Sequence, residues 1–368
     1  MKSLFKILYL IVSIFLLVGC NNEIEDSKET GVYLSGKSDF SKNNYQILKN
    51  FGNDRGEIVN RVYNRLDINN IEIELMNLSE EHFPSSKYSF REGNSVKNIS
   101  KWLKRESETT DGLNSAIDTH TEMDWPDIMQ LEKENPKYLA HIEEQEFVDK
   151  DGKIAGLSIG IILNSIYYYD VKDEQGLKHF DSVKIKQSII KNEGKKFAEI
   201  ILKRIREENE LANIPIFIGL YIQADKNSIL PGHYYAFSMI TEGNQIKNWT
   251  DINRQLINIS SKTFEEVDKE LYERIFYIKH DLVNYYNINY SLTGKGLPED
   301  SHIKELTIEL AIDPLSYTNL VGLVQFLATE ILNLSREIPV TLTISSLDEI
   351  RALIVCKNNE DPFIHIYQ

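Results

Sequence analysis

Ile214-Pro215-Ile216-Phe217-Ile218-Gly219-Leu220 and, in the second half of the chain, Ile338-Pro339-Val340-Thr341-Leu342-Thr343-Ile344 are nearly the same stretch twice. Each is a continuous apolar run of strand length, rich in β-branched residues. Each carries proline at its second residue, where a missing N–H costs a sheet least. Around the first copy lie a strand at 157–163 (LSIGIIL), a helix at 185–208 and a strand at 234–240 (YYAFSMI). That helix places Ile189, Ile190, Phe197, Ile200, Ile201 and Ile205 largely along one face. Around the second copy lie a strand at 306–312 (LTIELAI), a helix carrying Leu320, Leu323, Val324, Leu327, Ile331 and Leu334, and a strand at 352–356 (ALIVC). A helix with an apolar stripe must bury it on the sheet it connects. The expected fold class is α+β, two related β-α-β-β units forming two-layer sheet and helix domains.

These units divide the chain into an N-terminal unit at 57–240, with its repeat core at 157–240, and a C-terminal unit at 303–368. Residues 241–302 read as a linker or insertion, with a helix at 263–286 and a glycine-rich turn at Thr293-Gly294-Lys295-Gly296. Earlier in the chain, 55–59 and the alternating 71–75 (IEIEL) read as strands. Residues 95–105 read as a helix behind a Ser95 cap, 106–128 as a polar loop, and 136–148 as a short helix running into a strand. Asp149-Lys150-Asp151-Gly152 resembles the start of a calcium loop but lacks the third carboxylate and the closing glutamate. It is better read as the turn of a hairpin between 146–148 and 157–163.

The N-terminus is of a different kind. Lys2 and Lys6 precede an apolar run with one polar member, Ser13, which ends at Leu17-Val18-Gly19-Cys20. A run of about 12 residues is a signal-peptide core, whereas a spanning helix needs roughly 20. Small residues just before a cysteine resemble the lipobox, which implies cleavage between Gly19 and Cys20 and a diacylglycerol on Cys20. The expected arrangement is a signal peptide at 1–19, then a lipidated, flexible tether at 20–56 that is rich in Asn, Ser, Lys and Gly. As a coil of about 30 residues, the tether reaches on the order of 30 Å. The expected location is the extracellular face of the cell membrane, held there by the lipid.

Lys+Arg number 41 against 56 Asp+Glu, a net charge of −15. That sign argues against nucleic acid as a partner and against adhesion to an anionic membrane by charge. With Cys20 acylated, Cys356 is the only thiol left, so no intramolecular disulfide can form.

Candidate chemistry is sparse. Gly156-Leu157-Ser158-Ile159-Gly160 matches G-x-S-x-G, but a nucleophile elbow needs a turn, and the strand pattern runs on through 161–163. Asp118, His120, Glu122 and Asp124 alternate on the polar loop and can be drawn as a metal site, although solvated acidic loops are common in so acidic a chain. No zinc or phosphate motif is present, and no cofactor beyond the acyl lipid is implied. Tyrosine is the overused residue, 19 in all. Its rigid face and polar tip suit peptide, glycan or protein contact as well as packing. Tyr138, His141, Tyr167, Tyr168, Tyr169, His233 and Tyr234 form the candidate binding surface.

Six segments carry a resemblance: Tyr138-Leu139-Ala140-His141-Ile142-Glu143-Glu144-Gln145, 156–169 (GLSIGIILNSIYYY), Gly194-Lys195-Lys196, 214–220, 228–235 (SILPGHYY) and 362–367 (PFIHIY). In these the chain resembles the CamS-type sex-pheromone lipoproteins of Gram-positive bacteria, from about residue 60 to the end. The resemblance implies two internal repeats, processing by the lipoprotein enzymes, and a hydrophobic heptapeptide pheromone cut from the signal sequence. Here that window is Ser13-Ile14-Phe15-Leu16-Leu17-Val18-Gly19. Ser13 stands where the family peptide begins with Ala, and Val18-Gly19 replaces two small residues. The expected function is thus a lipid-anchored pheromone precursor whose folded part is a non-enzymatic module for a peptide, glycan or envelope protein. The alternative is a cell-envelope hydrolase using Ser158 or a carboxylate pair.

Overall fold

The computed structural model describes residues 45–48, 61–118, 123–286, 288–299, 301–335, 338–357 and 360–367. Two six-stranded sheets organise them. The first runs in the order β1 (Ser89–Glu92), β2 (Leu139–Val148), β3 (Ile154–Leu163), β6 (Ile216–Ile222), β7 (His233–Ile240) and β8 (Thr250–Asp251). The second runs β14 (Phe363–Ile366), β13 (Glu349–Cys356), β12 (Val340–Ser346), β11 (His302–Ile312), β10 (Tyr290–Glu299) and β9 (Ile257–Asn258). A separate hairpin joins β4 (Ile166–Lys172) to β5 (Lys178–Lys184).

The two copies of the Ile-Pro stretch occupy the same place in their sheets. β3 pairs in parallel with β6, β11 pairs in parallel with β12, and every other pairing between strands of the two sheets is antiparallel. Each parallel ladder begins at a proline carbonyl. Leu157 N donates to Pro215 O at 3.1 Å, and Leu306 N donates to Pro339 O at 3.1 Å. Proline thus sits where its carbonyl is used and its absent N–H is not needed. A parallel pair requires a long crossover, supplied by α4 (Gln187–Arg206) in the first unit and α7 (Tyr317–Leu334) in the second.

The fold class is α+β, as expected, but the repeat is longer than its sequence pattern. β2 hairpins onto β3 as β10 hairpins onto β11, so each unit is β-β-α-β-β. Residues 257–299, expected as linker or insertion, supply β9, α5 (Lys262–Val267), α6 (Lys269–Tyr286) and β10 to the second sheet and its cover. The expected glycine turn at 293–296 lies inside β10. A side chain on Gly296 would meet the buried Phe264 ring at 2.7 Å and Ile303 at 3.1 Å, so glycine there admits a ring rather than turning the chain. The expected single helix at 263–286 is broken at Asp268, whose carboxylate accepts from Leu271 N at 3.0 Å and from Ile303 N at 3.3 Å.

The first sheet also departs from a two-layer plan. On one face α4 buries Ile190, Phe197, Ile201 and Ile205 against Leu157, Ile159, Ile161, Ile218 and Leu220. On the other, α1 (Arg65–Ser79) buries Ile71 and Leu75 among Phe147, Ile162, Phe217, Tyr221 and Tyr234. Residues 71–75, expected as a strand, lie in this helix. Ile71 and Leu75 are one helical turn apart and buried, while Ile73 is 52% exposed, so the alternation of Ile and Glu does not describe the faces. In the second sheet α6 and α7 cover one face, and β12 alternates between buried and half-buried residues as a one-sided strand does.

Smaller corrections follow the same physics. The helix expected at 95–105 is the single turn α2 (Ile99–Trp102), because the N–H groups of Ser95 and Val96 are taken by the Glu144 carboxylate. The helix expected from residue 136 lies earlier, as α3 (Trp125–Glu134), and ends before Pro136. Within the expected tether, residues 45–48 pack on the domain. Leu48 N donates to Phe90 O at 2.9 Å, Phe90 N donates to Gln46 O at 2.9 Å, and Tyr45 is buried.

Substituting Gly296→Ala should cost about 1–3 kcal/mol, the usual range for overpacking. Urea unfolding checks this: the midpoint should fall with the slope unchanged, and an unaltered midpoint would contradict the placement of Gly296 under Phe264.

Candidate functional site

Parallel strands bring their carboxyl ends to one edge, and open α/β sheets bind ligands there. In the first unit the segments following β3 and β6 meet the start of α1 at this edge. Three side chains from α1 and its cap hold the 223–232 loop. Asn64 Nδ2 donates to Asp225 O at 3.1 Å, and Asn70 Nδ2 donates to Gly232 O at 3.3 Å. Asp67 accepts from Ala224 N at 2.8 Å, from the Tyr221 hydroxyl at 3.1 Å and from Gly232 N. Asp67 is fully buried. Burial raises its pKa, while the two backbone donors and the Tyr221 hydroxyl pull the other way, and the net direction is up.

The loop so held presents Lys226 4.6 Å over the Tyr168 ring. Tyr63, just ahead of α1, meets Tyr168 edge-on at 5.6 Å and is 54% exposed. Ile229 and Leu66, on the loop and the helix, are exposed as well. Below them Arg105 pairs with Glu132, which also accepts from the Tyr167 hydroxyl at 2.7 Å. The Lys137 carbonyl, five residues on from Glu132, accepts from Asn164 Nδ2 at 2.9 Å.

Of the seven residues expected as a binding surface, the structure brings Tyr138, Tyr167, Tyr168, Tyr169 and His233 to this end of the sheet but leaves few of them open. Tyr167 and Tyr169 are buried and stacked at 5.3 Å, and burial pushes the Tyr169 hydroxyl up to about 12. Tyr234 is buried, donating to Ile71 O at 3.1 Å, and His141 is buried beside Glu143. His233 is half-buried, its pKa pushed down by burial and then by Lys191. Three consecutive tyrosines on a strand cannot share one face; only Tyr168 turns outward. The exposed ring at 63 and the clamp at 64, 67 and 70 were missed in sequence because they meet their partners only in space. A polar i, i+3, i+6 spacing on α1 is the one signal that was available.

The G-x-S-x-G match has a packing explanation. A side chain on Gly156 would meet the Phe83 ring at 2.1 Å, and one on Gly160 would meet the Tyr234 hydroxyl at 2.8 Å. Ser158 lies between them in β3, paired with Gln145 and Phe217, fully buried and with no hydrogen-bond partner for its hydroxyl. Nothing there can reach a substrate. The carboxylate route fares no better at Glu144 and Glu146, which are buried and hold backbone N–H groups of 94–96. Residues 149–153 form the expected hairpin turn, with Asp149 accepting from Asp151 N and Lys153 N. Among the described residues no group of three His, Cys, Asp or Glu could hold a metal; His120 and Glu122 lie outside them, and Asp118 and Asp124 lie within. An open cleft of about 820 Å³ in the second unit is lined by Lys269, Arg274, His302 and Lys304 against Asp268, Glu270, Glu299 and Glu305, a mixed set with no convergent chemistry.

Ser13, Ile14, Phe15, Leu16, Leu17, Val18, Gly19 and Cys20 lie outside the described residues. Among those described, no helix is long and apolar enough to cross a membrane.

The family model described as "CamS sex pheromone cAM373 precursor" matches residues 50–362. The structure of the C-terminal domain of the sex pheromone staph-cAM373 precursor from Staphylococcus aureus is similar, with 27% identity, a TM-score of 0.67 and coverage of 83% of this chain and 98% of that one. A sex pheromone precursor from Lactobacillus salivarius subsp. salivarius shares the fold, with 24% identity, a TM-score of 0.77 and coverage of 92% and 98%. No curated protein matches.

Asp67→Ala should lower stability by at least about 2 kcal/mol, since it strands two buried N–H groups and a hydroxyl. The pH dependence has a definite sign. Because the folded pKa is raised, stability from protonated Asp67 is fully present below about pH 4, the ordinary aspartate value. It is lost as pH rises through the raised value. Denaturation of the parent and Asp67→Asn across that range should show this slope only in the parent. Ser158→Ala removes an unpaired buried hydroxyl and should leave the urea midpoint unchanged or raise it.

Proposed function

The chain belongs to the CamS sex pheromone cAM373 precursor family, and from that premise we propose that it is a lipoprotein, held on the extracellular face of the cell membrane through a diacylglycerol on Cys20. Its signal peptide supplies a hydrophobic heptapeptide, Ser13 to Gly19, and its folded part is a non-enzymatic module that binds a peptide, glycan or envelope protein. The observation that carries the reading is the order of parts: a basic start, a short apolar run and Leu17-Val18-Gly19-Cys20, placed directly ahead of a domain matched by the family model over 50–362. Several acyl chains, at about 0.8 kcal/mol per buried methylene, would hold the protein more firmly than one chain can. The net charge of −15 leaves little electrostatic attraction to anionic lipid.

The binding role of the folded part is supported by the exposed Tyr63, Lys226 and Ile229 and the half-buried Tyr168 at the edge of the first sheet. Burial of Ser158 speaks against the hydrolase alternative.

Mass spectrometry of cells expressing the native chain beside a Cys20→Ala form tests the proposal. The expected result is a diacylated Cys20 at the mature N-terminus and the peptide Ser13 to Gly19 in the medium, both lost in the variant. An acylated Cys20 without the heptapeptide would remove the pheromone role, and an unmodified N-terminus elsewhere would remove the anchor. If deleting residues 60–368 leaves peptide output unchanged, the folded part is not needed for release of the signal.

A further inference from the structure

β14 lies at the edge of the second sheet and bonds β13 on one side. Tyr367 N donates to Arg351 O at 2.9 Å. Bonded and non-bonded positions alternate along an antiparallel pair, so Phe363, His365 and Tyr367 direct their N–H and C=O groups at β13. Ile364 and Ile366 direct theirs outward, where no further strand pairs with them among the described residues. Side chains alternate as well. Ile366 packs on the helix-covered core, which sets Ile364 and Ile366 on that face and Phe363, His365 and Tyr367 on the open one. The other sheet edges are built differently: β8 and β9 have two residues each, and residues 45–48 bridge to β1. Short or covered edges protect against strand addition, as do lysines and prolines along an edge. Residues 363–367 hold no lysine, proline or carboxylate. Phe363 is 53% exposed, Ile364 40% and Tyr367 39%. Two copies of a chain at −15 repel, and this strand offers them a stretch without formal charge when His365 is neutral.

We propose that β14 pairs with β14 of a second copy of this chain, antiparallel about a two-fold axis at His365, so that two sheets join into one. The strand is its own complement in that register, as an isologous contact requires. The outward N–H and C=O of Ile364 meet those of Ile366 in the other copy, and the same exchange recurs across the axis, giving four bonds. A register centred on Ile364 would set Ile366 against Pro362, which has no N–H to give. One centred on Ile366 would leave Phe363 beyond the end of the other β14. With the axis at His365, Phe363 lies across from Tyr367 on the open face and Ile364 across from Ile366 on the other. Aromatic and β-branched cross-strand pairs of this kind stabilise antiparallel contacts. His365 already packs edge-on to Tyr367 at 4.5 Å, so the rings form a continuous row across the axis. One strand edge covers less than the roughly 1,200 Å² of a standard interface, so the dimer is a weak one, with a dissociation constant on the order of 100 μM. The pairing is independent of the binding role proposed for the first sheet.

The test is sedimentation of the full chain in mild detergent over a concentration series, beside three variants. The parent should pass from monomer to dimer as concentration rises. Ile364→Pro removes an N–H that points away from β13, at an edge position where proline is tolerated, and should weaken the dimer at least ten-fold while leaving the urea midpoint nearly unchanged. His365→Lys sets two like charges across the axis and should weaken it as much. The register is read separately by mild oxidation. Residues facing each other at a non-bonded antiparallel position have Cα atoms about 4.5 Å apart, within disulfide range, so His365→Cys should cross-link two copies. Phe363→Cys should cross-link several-fold less, because four residues of strand, about 13 Å, separate position 363 in the two copies. The parent, with its own Cys20 and buried Cys356, sets the background. A dimer indifferent to Ile364→Pro and His365→Lys, or equal cross-linking at 363 and 365, overturns the pairing. A parent that stays monomeric throughout the series also overturns it and leaves this edge to a strand from another protein.

Discussion

The parallel ladder between β3 and β6 is the constraint on which the first unit is built. Parallel strands cannot be closed by a tight turn, so the chain must leave the sheet, cross one face and return. That crossing is α4, and its cost in loop closure is offset by the apolar stripe from Ile190 to Ile205. With one face thus covered, the other face of the same strands still presents Ile162, Phe217 and Tyr221, and it must be covered from elsewhere. The cover is α1, which comes from sequence before the repeat begins. Its N-terminal turn, held to the 223–232 loop by Asn64, Asp67 and Asn70, decides which side chains stand at the carboxyl edge.

The second unit obeys the same ladder rule with a different outcome. β11 and β12 pair from Leu306 and Val340 onward, and α7 crosses one face. Its strands alternate, so no second layer is demanded. The same β-β-α-β-β unit therefore serves as a three-layer body in one half and a two-layer body in the other. The difference is written in side chains such as Thr341 and Thr343, which stand where the first unit has Phe217 and Gly219.

Much of this was legible in the sequence. The Ile-Pro strands, both crossover helices and the strands after them follow from period and composition, and Pro215 and Pro339 marked the register itself. What was not legible shares a cause: a side chain's role depended on a partner distant in sequence. Gly296 looks like a turn until Phe264 is placed over it. Ile71, Ile73 and Leu75 look like a strand until Phe217 and Tyr234 show which of them face inward. Tyr167 to Tyr169 read as a surface, and the pleat allows only one of the three to be one. The clamp on the 223–232 loop is assembled from segments 64–70 and 221–232, and no local pattern announces such a meeting.

The short bridge between residues 45–48 and β1 bears on mechanics. Any pull transmitted along the chain from ahead of residue 45 arrives at two hydrogen bonds to Phe90 and at the Tyr45 ring, lodged near Phe90 and Phe147. Ile47 runs parallel to Phe90 there, so a force along the strands loads both bonds together in shear, whereas a force across them opens the bonds one at a time. The bridge therefore acts as a fuse at the margin of the sheet. It can yield and release residues 45–48 while the β2–β3–β6 ladder, several bonds deep and buried on both sides, stays intact.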